Sequence, residues 1–546
     1  MKKRKKKRHQ PTALFKEFMP VLFAAVLVLC VINRIFLHEF LTVSGQAYFN
    51  IALQWYLLFL TVGAGGMFHA VSRMVSLRTE RGNTRNAKLV VRSAFTLSVC
   101  MGLFLALLLY LAADVLAGKI SGLPVTVSVL KCLSVSVFPF CVAVVFLGGL
   151  DGFGFENTSL FCMELSGVLF LVSSYITCGR LKNYGDKVGA LLQNPEYGPS
   201  YAALGLAVSV AVTSWFCLIV SFIAWLSRKR MIHTLALHES GAAETQAAVT
   251  RGIVSARGSR MLLLGLPVLI LILQQEIYRF FGKPETASYI QDWGVLTGTA
   301  GTCTALLVLC AAGFAIRQIP GMKLCFESRN LKKCRNKLMT SMRAMAVMIF
   351  PLSVYTAVLA KNILGMLFGE NAGADMAVLR ISSVSVIFLA AALVLGCALW
   401  CMHHEKIVIL GISISGVIIL LIQYLLLQFG QAEISVLCWA VLMGMILLSA
   451  LYLTAVTRLE KIRANWIAVF LAPVIGTLLS ALVCWFMGVF LSKTLPDTMT
   501  CIISILVSGI FYLVTECVLH GIDARVLQEY PGGRTIYVVL HQLRLM

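Results

Sequence analysis

A ten-residue segment occurs twice in this chain, in closely similar form, in two distant parts of the sequence. Residues 129–138 read VLKCLSVSVF and residues 378–387 read VLRISSVSVI, so that six of the ten positions are identical. Each copy follows a basic segment, a long apolar segment and a short turn that ends in glycine, at residues 111–118 and 362–369. This duplication predicts two homologous halves, each a bundle of membrane helices.

The composition agrees with that prediction. Of the 546 residues, 59% are hydrophobic and 13% are charged, whereas a soluble domain carries roughly twice that share of charge. Apolar segments recur at the length of roughly 20 residues that a membrane helix requires. We therefore expect an all-α polytopic membrane protein of about 14 transmembrane helices. These would form two pseudo-symmetric six-helix lobes plus two C-terminal helices.

The strong positive charge has a topological explanation. The formal net charge is +22, but about 34 of the 46 Lys and Arg residues fall on one predicted side of the membrane, as the positive-inside rule describes. This distribution predicts that both termini are cytoplasmic and excludes nucleic acid as the expected partner. The 17 cysteines include no CxxC pair and are interpreted as small core residues.

The expected organisation divides the chain into six segments. Polar residues at 180–200 and 323–343 are predicted to form loops outside the membrane. The segments are a basic cytoplasmic N-terminus (1–12), an N-lobe of helices 1 to 6 (13–227), a cytoplasmic linker (228–260), a C-lobe of helices 7 to 12 (261–457), the extra helices 13 and 14 (458–520) and a cytoplasmic C-terminal tail (521–546).

Ionisable and amide side chains within the apolar helices are the candidate binding residues. A charge near the bilayer centre costs about 2.5 to 3.5 kcal/mol on insertion scales, so such groups usually face a cavity or a partner. The substrate-binding candidates are Arg34, His69, Arg73, Glu164, Gln275, Glu276, Arg279 and Arg380.

Two groups of polar residues in the predicted helices have alternative interpretations. Glu276 and Arg279 lie one turn apart and either neutralise each other near the outer interface or form, with Gln275, a polar face towards a cavity between the halves. Lys131 and Arg380 occupy matching positions in the repeat, near the outer ends of their helices. They either extend towards the lipid headgroups or contact substrate.

Sequence patterns for catalysis are absent. The chain has no phosphate-binding GxxxxGK[ST] loop, no HExxH and no GxSxG. His403, His404 and Glu405 stand together, but a short turn between two helices explains them better than a metal site. We therefore expect a membrane transporter rather than an enzyme, with no catalytic residue, no metal site and no cofactor.

One stretch resembles a known family. Residues 48–95 are similar to the second and third helices of polysaccharide flippases of the stage V sporulation protein B type, in the multidrug/oligosaccharidyl-lipid/polysaccharide flippase (MOP) superfamily. The second half resembles the same family at residues 293–298, 363–370 and 378–390, and the likeness extends over residues 44–459. The matching positions of the first half are Ala70, Ser72, Arg73, Val75, Ser76, Gly82, Ala87 and Arg92.

The sequence departs from the family at two turns. After helix 4 the spacing is shorter and the usual proline is absent, and the turn after helix 10, CMHHEKI, keeps only Lys406. The residues kept after helix 4 are Gly149, Gly152, Gly154, Asn157 and Glu164.

The resemblance implies a function in cell-envelope or spore polysaccharide biosynthesis. Such flippases move a polyprenyl-pyrophosphate-linked saccharide from the inner to the outer leaflet of the bacterial cytoplasmic membrane by alternating access. The expected partners are that lipid-linked saccharide, membrane lipids and polysaccharide biosynthesis enzymes. Arginine pairs well with pyrophosphate, which suits the cationic bias. Coupling to the membrane potential, a sodium ion or a proton stays open.

Three alternatives remain. A cation-coupled multidrug exporter of the MATE type would need an acidic group deep in one lobe, and Glu164 is the candidate in the first half. A membrane-embedded glycosyltransferase or ligase would usually carry a large outer loop, and the longest one expected here has only about 20 residues. A scaffold that does not transport is the third alternative. We favour it as much as the glycosyltransferase or ligase, and less than the flippase or the exporter.

Overall fold

The structure is a computed structural model. It describes residues 13–234, 244–282, 285–327, 331–369, 376–429, 433–459, 466–519, 521–522, 524–527 and 529–530. The expected basic N-terminus lies outside these residues, as does most of the expected C-terminal tail. Throughout the described part the regular structure is helical, and 14 helices are long and apolar enough to cross a membrane. The predicted fold class, an all-α multi-pass membrane protein, is confirmed.

The chain divides into two compact units, Met1–Leu269 and Ile270–Met546. The last helix of the first unit, α8, continues into the second. The helices that begin in the first unit are α1 (Ala13–Phe36), α2 (His38–Ala64), α3 (Met67–Glu80), α4 (Thr84–Ala113, followed by a π-helical turn at Asp114–Ile120), α5 (Thr126–Gly152), α6 (Glu156–Leu192), α7 (Tyr197–Thr234) and α8 (Gln246–Phe281).

In its described residues, the second unit contains the end of α8 and ten further helices. They are α9 (Thr286–Gly294, followed by a π-helical turn at Val295–Thr299), α10 (Ala300–Glu327), α11 (Leu331–Val358), α12 (Ala360–Phe368), α13 (Met376–Cys401), α14 (Glu405–Phe429), α15 (Ser435–Leu459), α16 (Trp466–Leu491), α17 (Asp497–Val518) and α18 (Ala524–Leu527).

The repeated segment lies on the central helix of each unit. In the first unit α5 packs against α2, α3, α4 and α7, and in the second α13 packs against α10, α11 and α15. Ser134 and Ser136 of α5 are buried and correspond in the repeat to the buried Ser383 and Ser385 of α13. All four hydroxyls donate to carbonyls of their own helix at 2.6 to 2.7 Å. Small side chains that satisfy their own polar atoms let neighbouring helices approach closely.

The second membrane span is broken at two glycines. Helix α2 ends at Ala64, and α3 begins at Met67 after Gly66, which has a left-handed φ of 71°. The sequence GAGG at residues 63–66 allows a bend or a close contact with a neighbouring helix. The structure places both at this position, since a Cβ on Gly66 would lie 2.7 Å from the carbonyl oxygen of Arg257.

Two polar segments expected as loops are largely helical, which corrects the sequence-based boundaries. Helix α6 runs to Leu192 and α10 to Glu327, while α11 begins already at Leu331. Polarity alone does not end a helix that has left the membrane. Helix α6 ends where Gln193 adopts a left-handed φ of 51° and Pro195 follows in the sequence.

The expected linker (228–260) contains the end of one helix and the start of the next. Helix α7 extends to Thr234, and α8 begins at Gln246, well before the predicted start at residue 261. The alanines between 242 and 256 favour helix outside the membrane as well as inside it. The cytoplasmic position of residues 228–260 stays a prediction.

The approach of α3 to α5 gives a first testable prediction. A Cβ at Gly148 would lie 2.7 Å from the carbonyl oxygen of Phe68, and one at Gly152 would lie 2.7 Å from that of Ser72. We expect Gly148→Ala and Gly152→Ala each to lower the free energy of unfolding by about 1 to 3 kcal/mol, because the helices must separate. The thermal midpoint of the purified protein in detergent measures this.

Gly258→Ala is the matched control, because a Cβ there meets no atom within 4 Å. It should leave the midpoint unchanged or raise it slightly. Equal midpoints for all three variants would contradict the packing described for α3 and α5.

Candidate functional site

Arg34 lies in the last turn of α1, where it contacts the start of the second span. Its guanidinium donates to the side-chain oxygen of Asn50, which is buried in α2. Nearby, the side-chain nitrogen of Gln46 lies 3.1 Å from Nδ1 of His38. We call Arg34, His38, Gln46 and Asn50 the Arg34 cluster. A guanidinium has five N–H donors in a planar fork, so Asn50 can hold Arg34 while other donors bind an anion.

A second amide fixes α1 beside this cluster. Asn33 precedes Arg34 and donates to the hydroxyl of Ser174 on α6 at 2.8 Å. Both residues are buried. The bond therefore fixes the position of α1, and with it the direction of Arg34.

His69 and Arg73 lie at the other end of the same span. Both are exposed on α3, after the break at Gly65 and Gly66. His69 follows Asn50 by 19 residues, which corresponds to about 28 Å at 1.5 Å per residue. The structure therefore does not bring these two candidates to the Arg34 cluster.

Arg257 of α8 supports the break in the second span, and sequence reasoning missed it. Its side chain is 5% exposed and donates to the carbonyl oxygens of Val62 and, at 3.2 Å, Gly63. Carbonyls in the last turn of a helix lack intrahelical donors and carry the negative end of the helix dipole. A buried arginine supplies both the donors and the charge. Its position in a segment expected to be a polar linker concealed this role.

Glu164 is a buried carboxylate in α6. It lies eight residues after the helix start at Glu156, about two turns into the helix. The side chain is 3% exposed, and among the described residues neither carboxylate oxygen has a hydrogen-bond partner. An acidic group without a partner in a membrane helix marks a place where a proton or a cation can bind.

In the second unit, the three polar candidates at the end of α8 lie together. The guanidinium of Arg279 lies 3.6 Å from the carboxylate of Glu276, which also accepts a hydrogen bond from Gln275 at 3.3 Å. The ion pair, which was one of the two interpretations of their spacing, is present. Gln275 is fully buried.

These residues belong to a larger buried cluster that the sequence did not reveal. Tyr278 donates to Asp292 at 2.7 Å, and Gln423 of α14 donates to the backbone oxygen of Gln274 at 2.8 Å. The ring of Tyr289 stacks on Trp293. We call the whole set the amide–aromatic cluster: Gln274, Gln275, Glu276, Tyr278, Arg279, Tyr289, Asp292, Trp293 and Gln423.

Several polar atoms of the amide–aromatic cluster remain available. Among the described residues, Nε2 of Gln274, Nε1 of Trp293 and Oε1 of Gln423 are buried without a hydrogen-bond partner. Leaving such atoms unpaired costs about 1 to 3 kcal/mol each, so they mark places for water or for a hydroxyl-rich ligand. The signal in the sequence was a lone glutamine within the apolar run LLIQYLLL.

Lys131 and Arg380, the matching cations of the repeat, have different surroundings. Lys131 forms an ion pair with Asp114 at 2.8 Å. Arg380 is exposed near the start of α13 and lines an apolar groove of the second unit. Arg380 thus lies on a surface groove rather than within the amide–aromatic cluster.

The extra helix pair also contains a buried acid. Glu516 of α17 is fully buried, and its carboxylate packs against Gly476 of α16 and against Gly521. Close to it, Tyr512 donates to the backbone oxygen of Val347 at 3.1 Å. No pattern in the sequence had distinguished this glutamate.

Known structures share this fold, although no protein-family model and no curated protein sequence matches the chain. A structure of the lipid II flippase MurJ in an inward closed conformation aligns with a TM-score of 0.64 at 14% identity, over 92% of this chain and 99% of that one. An inward-facing multidrug resistance MATE family transporter of the MOP superfamily aligns with a TM-score of 0.62 at 14% identity, over 80% and 94%.

A third similar structure is a MOP superfamily transporter from Pyrococcus furiosus, described as having a binding pocket of reversed polarity that suggests a different function. It aligns with a TM-score of 0.55 at 14% identity, over 81% of this chain and 96% of that one. At these identities the likeness establishes the fold. This chain therefore has the fold of MOP superfamily transporters.

Removing the Arg257 side chain should destabilise the helix ends on either side of the break in the second span. Hydrogen bonds to a charged group contribute about 1.5 to 3 kcal/mol. We therefore expect Arg257→Ala to speed hydrogen exchange of the backbone amides of Gly65 and Ala70 by about tenfold or more. Mass-spectrometric hydrogen–deuterium exchange on residues 61–72 measures it.

Arg257→Lys should restore part of the protection. The exposed Arg251 of the same helix supplies the control, since Arg251→Ala should leave these amides unchanged. Unchanged exchange in Arg257→Ala would refute the capping role.

Proposed function

We propose that this protein is a flippase that moves a polyprenyl-pyrophosphate-linked saccharide between the leaflets of a bacterial cytoplasmic membrane. The observation that carries the proposal is the extent of the structural likeness. The alignment with the lipid II flippase covers 92% of this chain, whereas the alignment with the multidrug transporter covers 80%. Helices α16 and α17 are the extra pair that the sequence predicted beyond the two six-helix lobes.

The Arg34 cluster suits the headgroup of such a substrate. A pyrophosphate carries roughly two negative charges, and a guanidinium pairs with phosphate oxygens through two parallel hydrogen bonds. Asn50 fixes the guanidinium and leaves the rest of its donor fork available. We assign the pyrophosphate to Arg34, with His38 and Gln46 as neighbouring polar groups.

The amide–aromatic cluster suits a saccharide. The unpaired polar atoms of Gln274, Trp293 and Gln423 are the kind of groups that sugar hydroxyls satisfy. They are buried, so they become accessible only in another conformation of the protein. Alternating access supplies such a change.

The membrane potential can supply the energy. At about 100 mV, inside negative, moving two negative charges outward gains roughly 4 to 5 kcal/mol. We propose this coupling for the transport step, with polysaccharide biosynthesis enzymes supplying the substrate on the cytoplasmic side.

One observation favours a second candidate, a cation-coupled multidrug exporter. Glu164 is buried, and neither of its carboxylate oxygens has a hydrogen-bond partner in the described part of the chain. A carboxylate in that position can bind and release a proton or a cation as access alternates. The fold serves this function equally well.

Replacing Arg34 tests the flippase. We expect Arg34→Ala to reduce flipping of a fluorescent polyprenyl-pyrophosphate saccharide in proteoliposomes by at least about tenfold, because it removes the donor fork for the pyrophosphate. Wild-type flipping should quicken when a potential, negative on the side of the donor leaflet, is imposed. Arg279→Ala should slow flipping less, since Glu276 already neutralises that guanidinium.

Lys182→Ala is the matched control. Lys182 is a cation of the same unit whose ammonium contacts the backbone oxygen of Glu39 at 2.8 Å, outside the Arg34 cluster. It should flip at the wild-type rate. Flipping at the wild-type rate by Arg34→Ala would contradict the assignment of the pyrophosphate to this cluster.

Replacing Glu164 tests the exporter. If the protein is a flippase driven by the potential, Glu164→Gln should change saccharide flipping by less than about twofold, because the neutral amide fits the same buried site. Cation-driven efflux of a dye from proteoliposomes is measured in parallel. Dye efflux that Glu164→Gln abolishes, together with no flipping of the saccharide lipid, would establish the exporter instead.

A further inference from the structure

An open apolar groove runs along the surface of the second unit. It has a volume of about 440 Å³, and its walls come from α11, α13, α15 and α16. Its lining is apolar apart from Arg380 and the indole nitrogens of two tryptophans. The residues used below are Val384, Trp439, Trp485 and Arg380.

The charged and aromatic residues lie towards the same end of the helices. Arg380 and Trp439 are each the fifth residue of their helix, α13 and α15, so they lie about 6 Å below the helix starts. Trp485 lies in the last turns of α16. Successive spans alternate in direction, so the end of α16 lies on the same side as the starts of α13 and α15. Both tryptophans are about half exposed. Tryptophan at this depth is typical of the boundary between hydrocarbon and headgroups.

In the part of the chain that the structure describes, the two matching cations of the repeat differ in their counter-ions. In the first unit Lys131 pairs with Asp114, the fourth residue of the turn at 111–118. The fourth residue of the matching turn at 362–369 is Gly365. Among the described residues, Arg380 forms no ion pair. One copy of the duplicated cation is therefore neutralised within the protein, and the other carries its charge on the surface.

An acid that lies beside the matching turn of the second unit is already engaged. Asp497, at the start of α17, accepts a hydrogen bond from Asn362 at 2.7 Å. Its other oxygen packs against Gly365, where a Cβ would lie 2.5 Å away. This carboxylate thus lies beside the position that corresponds to Asp114, yet it is bonded to an amide and not to Arg380.

We propose that this groove binds an anionic phospholipid of the bilayer, with the headgroup phosphate on Arg380 and one acyl chain along Val384 between Trp439 and Trp485. Charge complementarity selects the headgroup, because an arginine pairs with phosphate and the described lining of the groove contains no acid. The apolar walls select the chain. A groove of this volume holds one short chain rather than a long polyprenyl tail, so the occupant is a membrane phospholipid and not the transported lipid.

Fluorescence quenching by brominated lipids tests the proposal on the full chain in mixed micelles. Bromine atoms on an acyl chain quench a tryptophan that they touch, so the relevant signal is the quenching that disappears in the Trp439→Phe/Trp485→Phe double variant. For wild type we expect brominated phosphatidylglycerol to quench at about fivefold lower concentration than brominated phosphatidylcholine, the factor expected for one basic residue near an anionic lipid.

The repeat provides the matched control. Arg380→Ala should abolish the preference for phosphatidylglycerol, Arg380→Lys should keep most of it, and Lys131→Ala should keep all of it because Asp114 already neutralises that cation. An unchanged preference in Arg380→Ala, or an equal loss in Lys131→Ala, would overturn the proposal. So would displacement of brominated phosphatidylglycerol by an equimolar polyprenyl pyrophosphate, which would make the transported lipid the occupant.

Discussion

Backbone groups in hydrocarbon must find their partners within the protein, and the structure follows from this requirement. The described residues form helices, and a break in a membrane helix needs donors from elsewhere. At Gly65 and Gly66 the second span breaks, and Arg257 of α8 supplies donors to the carbonyls that the end of α2 leaves exposed. Arg34 of α1 contacts this span before the break, at Asn50, and His69 lies on the span after the break. The candidate binding residues of the first unit are thus held by a scaffold that one buried arginine completes.

The duplication explains both the similarity and the difference between the units. Each has a central helix whose small residues and internally bonded serines allow neighbours to pack closely. The same register places a cation near the start of each central helix. Asp114 neutralises Lys131, whereas the corresponding turn of the second unit has a glycine. The charge of Arg380 is therefore presented at the surface of the groove. Divergence between copies that share a fold has therefore created different surface chemistry.

The sequence predicted the parts of this fold that depend on hydrophobic length. The described part contains 14 candidate spans, as expected, and the repeat lies on the central helix of each unit. Where helices leave the membrane the prediction was wrong, because their ends are determined by residues such as Gln193 and not by polarity. The ion pair of Glu276 with Arg279 was one of the two interpretations that their spacing allowed. Arg257, Asp292 and Gln423 act through contacts between distant segments, which periodicity along one helix does not reveal.

The central claim is that the pyrophosphate of a lipid-linked saccharide binds the Arg34 cluster. Photocrosslinking with a polyprenyl-pyrophosphate saccharide that carries a diazirine beside the pyrophosphate tests it most directly, with the adducts mapped by mass spectrometry. The account predicts adducts within α1 and the first half of α2, which excess unlabelled polyprenyl pyrophosphate removes. Adducts spread over the lipid-facing surface and insensitive to that competitor, alongside saturable binding of a cationic dye, would contradict it.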